Sequence, residues 1–235
     1  IIDKYCFGQV VGKSGKEPHL VLKENEIEYY LGGSVAVARH LSSFVNNVYI
    51  LSPFGYESYY SKILKNNLSK NIKTNFFKPN QNYRTITKTR FVDKISGYKL
   101  FGSYVIPEKS EENFKKIVKK IIDKNKKKID IFLVCDYGHN FISPAIAGVI
   151  KKTKKMISLN AQVNAANIGY HSINKYDGIN SLVINENELR QELRDNKNSL
   201  NLLAKKIMIK KNIQNIIVTS GKGGAIFINT KFKVF

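Results

Sequence analysis

The chain has 235 residues, enough to bury a substantial core as one large α/β domain or two small ones. Its formal charge of +21 comes almost entirely from Lys scattered among abundant Asn and Ile, the pattern of an AT-rich coding sequence. Arg, whose planar fork suits phosphate and guanine, is confined to Arg39, Arg84, Arg90, Arg190 and Arg194, which argues against a dedicated nucleic-acid role. Cys6 and Cys135 lie far apart with no CxxC and no clustered His, so neither a zinc site nor a disulfide framework is indicated. No apolar run approaches the ~18 residues of a membrane span, and no signal peptide is visible, so a cytoplasmic protein is expected.

In chain order, Ile1 and Ile2 read as the tail of an apolar strand with Asp3 at its end. Gly8-Gln-Val-Val-Gly12-Lys13-Ser14 is one residue short of a P-loop, and the Gly-Lys-Glu-Pro that follows cannot open the required helix, so that motif is rejected. Residues 9–30, with Pro18 and the run His19-Leu-Val-Leu22, break the α/β texture. Gly32-Gly33 then precedes a small-residue helix start, Ser34-Val-Ala-Val-Ala-Arg-His-Leu41. Paired glycines there allow close backbone approach to a ligand or form a simple tight turn. Residues 47–53 (NVYILSP) read as a strand. Residues 84–105 alternate through Thr85, Thr87, Thr89 and Phe91, with a turn at 94–97, as an antiparallel hairpin.

In residues 111–124, Phe114, Ile117, Val118, Ile121 and Ile122 recur at helical spacing opposite a face of Lys, with Ser110 as cap. Residues 123–128 (DKNKKK) are expected to form a solvated loop. Four more apolar runs follow as strands, at 129–135, 156–159, 181–184 and 216–219. Asp136-Tyr-Gly-His139 sits directly after the first of them, where open parallel sheets place ligands, although an N-cap role is equally common. Asn185-Glu-Asn-Glu188 holds the same position after the third, 181–184; it reads as a capping box, as an organiser of Mg²⁺-bound water and phosphate, or as both. Thr219-Ser-Gly-Lys-Gly-Gly224 is either a phosphate-wrapping loop or a hairpin turn. His40 is expected on a helix surface, and no His as catalytic. Strands separated by helices predict a three-layer α/β core with a mostly parallel sheet, and the two irregular stretches predict a small β-sheet lid over about 9–31 and 84–105.

The succession Asp3, Gly32-Gly33, Thr87-Lys-Thr-Arg90, Asp136-Tyr-Gly, Asn185-x-x-Glu188 and Thr219-x-Gly-x-x-Gly224 resembles the ribokinase-like (PfkB) carbohydrate kinases across nearly the whole chain. It is most similar to the kinase half of bifunctional heptose-phosphate kinase/nucleotidyltransferases. The resemblance implies a single ribokinase-like domain over 1–235, cut at both ends, that phosphorylates a sugar or sugar phosphate with ATP and Mg²⁺. It implies substrate contacts from Asp3, Gly32, Gly33, Lys88, Arg90 and Asp136. Asn185, Glu188, Ser220, Gly221 and Gly224 would lie at the nucleotide, with Glu188 toward the metal. It also implies a homodimer through the lid and a fused nucleotidyltransferase.

The sequence departs from the family at three places. No Gly-Ala-Gly-Asp segment, which carries the family's catalytic Asp, occurs in the chain, so no catalytic residue is assigned and this length alone is expected to be inactive. Ala36 stands where the family often has Asn, and Leu159-Asn-Ala-Gln162 replaces Asp-Pro-Lys. A degenerate kinase-like module that binds nucleotide or sugar without transfer is the alternative reading.

Overall fold

The computed structural model describes residues 1–107 and 113–230. The chain divides into two compact units, Ile1–Glu108 and Lys109–Phe235. The first contains, in order, β1 (Ile2–Lys13), β2 (Leu20–Leu31), α1 (Gly33–Leu41), β3 (Val48–Pro53), α2 (Ser58–Asn67), β4 (Ile72–Phe77), β5 (Thr87–Asp93) and β6 (Lys99–Val105). A four-stranded sheet has the order β2-β1-β5-β6, and β3 pairs with β4 as a separate parallel ribbon.

The expected hairpin is β5–β6, turned at Gly97 with φ +73°. Asp93 closes that turn by accepting from the Ser96 N–H and hydroxyl. The first strand differs from expectation. Asp3 does not end it, because β1 pairs with β2 through to Lys13 by way of bulges after Phe7 and Val10, while pairing in parallel with β5 through Gly8. Gly8 is needed at its bulge, since a Cβ there would lie 2.5 Å from the Lys23 carbonyl oxygen. The lid stretches and the strand bearing Asp3 are therefore one sheet. Ile2, Leu31, Val35, Ala38, Ile50, Phe54, Leu64 and Ile72 form the core of the unit.

The second unit contains α3 (Asn113–Asn125), β7 (Ile131–Asp136), α4 (Pro144–Lys151), β8 (Met156–Ala161), β9 (Ser181–Asn185), α5 (Glu186–Leu193), α6 (Leu200–Lys211), β10 (Asn215–Thr219) and β11 (Ala225–Asn229). Its sheet has the order β11-β10-β9-β8-β7, parallel except for the β10–β11 hairpin. Every strand read from an apolar run in this unit is present. The strand periodicity of two sets a row of Val134, Leu159, Leu182, Ile216 and Ile228 across all five strands, the last four fully buried. The helices α5 and α6 pack on β9–β11 and add Leu189, Leu203, Ala204 and Ile207 to this core. Burying each such aliphatic side chain stabilises the fold by roughly 1.5–3 kcal/mol. On α3 the expected face is buried at Phe114, Val118 and Ile122, with Lys115, Lys116, Lys119 and Lys120 outward. Its expected cap Ser110 lies outside the described residues.

Candidate functional site

In the first unit the sheet register brings three of the expected substrate residues, Asp3, Lys88 and Arg90, together with Tyr5. Asp3 lies opposite Lys88 and Tyr5 opposite Arg90 in the parallel β1–β5 pair, so all four side chains leave one face. Arg90 reaches back one register step, and its Nη1 donates to Asp3 Oδ1 at 2.6 Å. The guanidinium sits over the Tyr5 ring, 5.1 Å from its centroid. Burial works against the charge of Arg90, and the hydrogen bond and charge of Asp3 more than offset it, so its pKa rises. Lys88 is 9% exposed, with its ammonium 5.4 Å above Tyr104. Burial lowers its pKa, with Asp3 pulling the other way.

Gly32 is required by this arrangement. Its backbone is extended (φ −105°), but a Cβ would fall 1.9 Å from Asp3 Oδ2. Gly33 is required for a second reason, its φ of +56°, and a Cβ there would also meet the Ile1 side chain at 2.8 Å. The sequence pattern missed Tyr5, although its alternation with Asp3 along β1 was available as a signal.

In the second unit, Asn185 and Thr219 end adjacent parallel strands, β9 and β10, and Asn185 Nδ2 donates to the Thr219 carbonyl at 3.1 Å. Asn185 caps α5, its Oδ1 accepting from the Asn187 N–H at 2.9 Å, and Glu188 completes a capping box by accepting from the Asn185 N–H at 2.9 Å. The second carboxylate oxygen of Glu188 accepts from the Val163 N–H at 2.8 Å, which ties the β8–β9 connection to α5. One turn on, Glu192 holds the same connection through the Ser172 hydroxyl and the Ile173 N–H. A cavity of about 510 Å³ opens between that connection and α5, lined in part by Ala161, Ile168, Glu188, Glu192 and Arg194.

The glycine loop forms a hairpin turn between β10 and β11. The N–H groups of Ser220, Gly223 and Gly224 are bonded within the loop, to Gly224, Ser220 and Gly221 carbonyls respectively, which removes them as phosphate donors. Gly221 (φ +54°) and Gly224 (φ +83°) supply its left-handed positions. The Ser220 hydroxyl donates to Glu186, which also takes Arg190 at 2.8 Å. These bonds, the serine's first, hold the Glu186 carboxyl below its ordinary value. Glu186 was legible as the acidic partner four residues before Arg190.

Asp136 was expected among the substrate contacts, with helix capping as its bland role. Neither cap nor open turn is what the structure shows: Ser143 caps α4, and Asp136 is 2% exposed at the end of β7. Its carboxylate accepts from Lys175 (2.7 Å), Tyr176 (2.8 Å) and the Gly138 N–H (3.0 Å). The buried His171 Nε2 lies 4.0 Å from Oδ1. Among the described residues no group of three or more His, Cys, Asp or Glu side chains is arranged to hold a metal ion, and no helix is long and apolar enough to cross a membrane.

The pfkB family carbohydrate kinase profile matches residues 5–235. The chain belongs to the pfkB family of carbohydrate kinases. No curated relative matches it in sequence. Among solved structures it is similar to phosphofructokinase-2 from Escherichia coli in complex with fructose-6-phosphate, at 13% identity and a TM-score of 0.73, covering 100% of this chain and 75% of that one. It is also similar to Arabidopsis thaliana ribokinase complexed with ribose and ATP (15% identity, TM-score 0.68, covering 100% and 73%). A ribokinase from Thermotoga maritima is similar at 17% identity, with a TM-score of 0.68 and coverage of 100% and 73%. These likenesses establish the ribokinase-like α/β fold for this pfkB chain.

Proposed function

We propose that the protein carrying this chain transfers the terminal phosphoryl group of ATP to a hydroxyl of a sugar phosphate, with heptose phosphates the first class to test. The observation that supports this most is the cluster on the four-stranded sheet, where the Asp3 carboxylate is pressed against Gly32 beside Lys88 and Arg90. A carboxylate accepts sugar hydroxyls, and two cations suit an anionic substituent. The heptose class rests on the resemblance in Gly32-Gly33, Thr87-Lys-Thr-Arg90 and Asp136-Tyr-Gly. The similar structures hold fructose-6-phosphate in one case and ribose with ATP in another, which supports a sugar or its phosphate as acceptor.

In this reading Asn185, Glu188, Ser220, Gly221 and Gly224 border the nucleotide at the carboxyl ends of β9 and β10. Mg²⁺ would arrive with ATP, keeping most of its waters, and would neutralise charge on the phosphates. Glu188 fits an outer role there: each of its oxygens already accepts one backbone N–H and has a lone pair left for a metal-bound water. Asp136, with three protein donors, acts in this reading by fixing the β7 end through Lys175 and Tyr176 rather than by direct contact with sugar. In this reading a second subunit would cover exposed apolar residues of the four-stranded sheet and its turns, such as Val11, Leu20, Ile95, Tyr98 and Phe101.

A second reading, a kinase-like module that binds nucleotide or sugar without transfer and serves a fused nucleotidyltransferase, draws on the glycine loop whose N–H groups are used internally. ADP release with Mg-ATP and a panel of heptose, hexose and pentose phosphates and free sugars separates the two. Turnover on a heptose phosphate supports the first reading, and ATP binding with no turnover supports the second. Neither binding nor turnover refutes both.

A further inference from the structure

The three charges on the face of the four-stranded sheet do not balance. Asp3 is committed to Arg90 through Oδ1, in a pair only 22% and 26% exposed, while its Oδ2 abuts Gly32. Lys88 has no ion-pair partner among the described residues, although it is the most enclosed of the three. Its nearest carboxylate, Asp3, is already bonded to Arg90; a cation kept from water with only a shared carboxylate nearby is under-compensated, and a bound anion relieves that cost. The neighbouring strands define where such an anion fits. On the β2 side, Glu28 lies opposite Tyr5 and accepts from the Tyr30 hydroxyl at 2.5 Å, so that side repels an anion. On the β6 side, Arg90 faces Gly102, which has no side chain, and Lys88 faces Tyr104.

We propose that the Asp3–Arg90 pair is a latch opened by the substrate's own phosphate. A phosphate entering from the β6 side, between Lys88 and Arg90, takes the guanidinium off Asp3 and frees the carboxylate to accept sugar hydroxyls. The proposal rests on the sugar-kinase reading and deepens it, because it makes Asp3 a specificity-determining residue whose availability depends on the charge of the sugar. A neutral sugar has to share a carboxylate already drawn to Arg90 by a 2.6 Å charge-assisted bond, and it offers Arg90 nothing in return. A sugar phosphate replaces one carboxylate oxygen with a dianion that a guanidinium can grip with two parallel bonds. Tyr5 holds Arg90 on the same face during the exchange without using any of its N–H donors. Coupling of this kind is reciprocal, so free phosphate and free sugar promote each other's binding.

The test is calorimetric titration of the protein carrying this chain, without ATP. The probes are glucose, ribose and sedoheptulose and their terminal phosphates, with and without saturating inorganic phosphate. The latch predicts that inorganic phosphate raises free-sugar affinity about tenfold, within the usual range of coupling between sites. Arg90→Ala should weaken sugar-phosphate binding by about tenfold or more, tighten free-sugar binding and abolish the phosphate effect. Arg90→Lys, which keeps a charge but loses the fork, should move both affinities in the same directions by less, and it serves if the alanine variant does not fold. An arginine that merely contacts phosphate predicts no gain for the free sugar. Free-sugar affinity unchanged or weakened in both variants overturns the latch while leaving the kinase reading intact, provided the wild-type protein binds a sugar phosphate. If the wild-type protein binds none of the probes, both proposals fail.

Discussion

Replacing Glu188 with Gln looks like a clean test of a metal-organising carboxylate, and the structure says it is also a test of stability. One carboxylate oxygen accepts the Val163 N–H at 2.8 Å and the other accepts the Asn185 N–H at 2.9 Å. Glutamine has one acceptor oxygen, so either orientation of its amide turns an NH₂ group toward a backbone donor. One charge-assisted bond is lost, worth about 1.5–3 kcal/mol. The missing negative charge at the first turn of α5 removes about 0.3–1 kcal/mol more. The sum, about 2–4 kcal/mol, corresponds to a fall in melting temperature of about 4–16 °C for a chain of this size. Thermal unfolding of wild type and Glu188→Gln reads the shift, and amide hydrogen exchange reads its location, with Val163 losing protection first. A melting temperature within a degree of wild type, with Val163 exchange unchanged, would refute the view that this side chain carries the loop. Loss of kinase activity in the variant is interpretable only beside that measurement.

Gly32→Ala places a Cβ 1.9 Å from Asp3 Oδ2, so Asp3 has to move and its bond to Arg90 breaks. We expect a loss of about 1–3 kcal/mol by denaturant unfolding, and wild-type stability would contradict the close packing. Asp136→Asn leaves the Lys175 ammonium, 16% exposed, without its counter-ion, and should cost about 3–5 kcal/mol by the same assay; under one would show that the pair bears little load. The Glu186 carboxyl is held below its ordinary 4.5 by Ser220 first and Arg190 second, so its folded-state contribution is complete above that value and is lost as pH falls through the depressed folded pKa. An NMR titration should place its midpoint below 4.5 and raise it in Ser220→Ala; a midpoint at or above 4.5 would contradict the serine bond. Burial pushes the Cys135 thiol up to about 11 and also raises that of Cys6, so neither should react with a thiol reagent at neutral pH until the protein is denatured. Prompt labelling of the native protein would show an open path to one of them.

The second unit was legible because its strands are short apolar runs between helices, a signal that is local and strong. The run 216–219 gave β10 and the run 181–184 gave β9 nearly to the residue. The box at Asn185 and Glu188 was equally readable, since N-capping depends on positions three residues apart. The first unit hid more. Helix α2, SYYSKILKNN, buries only Leu64 fully, and the strand β4, IKTNFF, mixes polar and apolar residues, so neither carries a clear period. The strand β1 is interrupted by Gly8 and Gly12, which mimic a loop in sequence and are bulge positions in the sheet. Its register against β5 sets Asp3 beside a strand that carries Arg90, 87 positions away, and no local pattern encodes that, so the Asp3–Arg90 bond was invisible. The partners of Asp136, Lys175 and Tyr176, were hidden for the same reason.

The residues with the strongest motif signal are also those under the heaviest structural load, and the physics of phosphoryl transfer gives a reason for the coincidence. Such transfer is accelerated mainly by holding charges and dipoles in place before the reactants arrive. A carboxylate on a free side chain would have to be ordered at each encounter. Glu188 is ordered already, by the helix start on one oxygen and the β8–β9 connection on the other. Ser220 and Glu186 do the same between the glycine turn and α5, and Asp3 is held by Arg90 in the space that Gly32, lacking a Cβ, leaves for it. Asp136 differs from this set in burial: its carboxylate is 3% exposed, and its bonds to Lys175, Tyr176 and the Gly138 N–H hold the end of β7. In the proposed kinase reading a capping box and a phosphate-facing carboxylate are thus one arrangement: the fold fixes Glu188 through one backbone N–H on each oxygen, and the remaining lone pairs are what a ligand or its water would use.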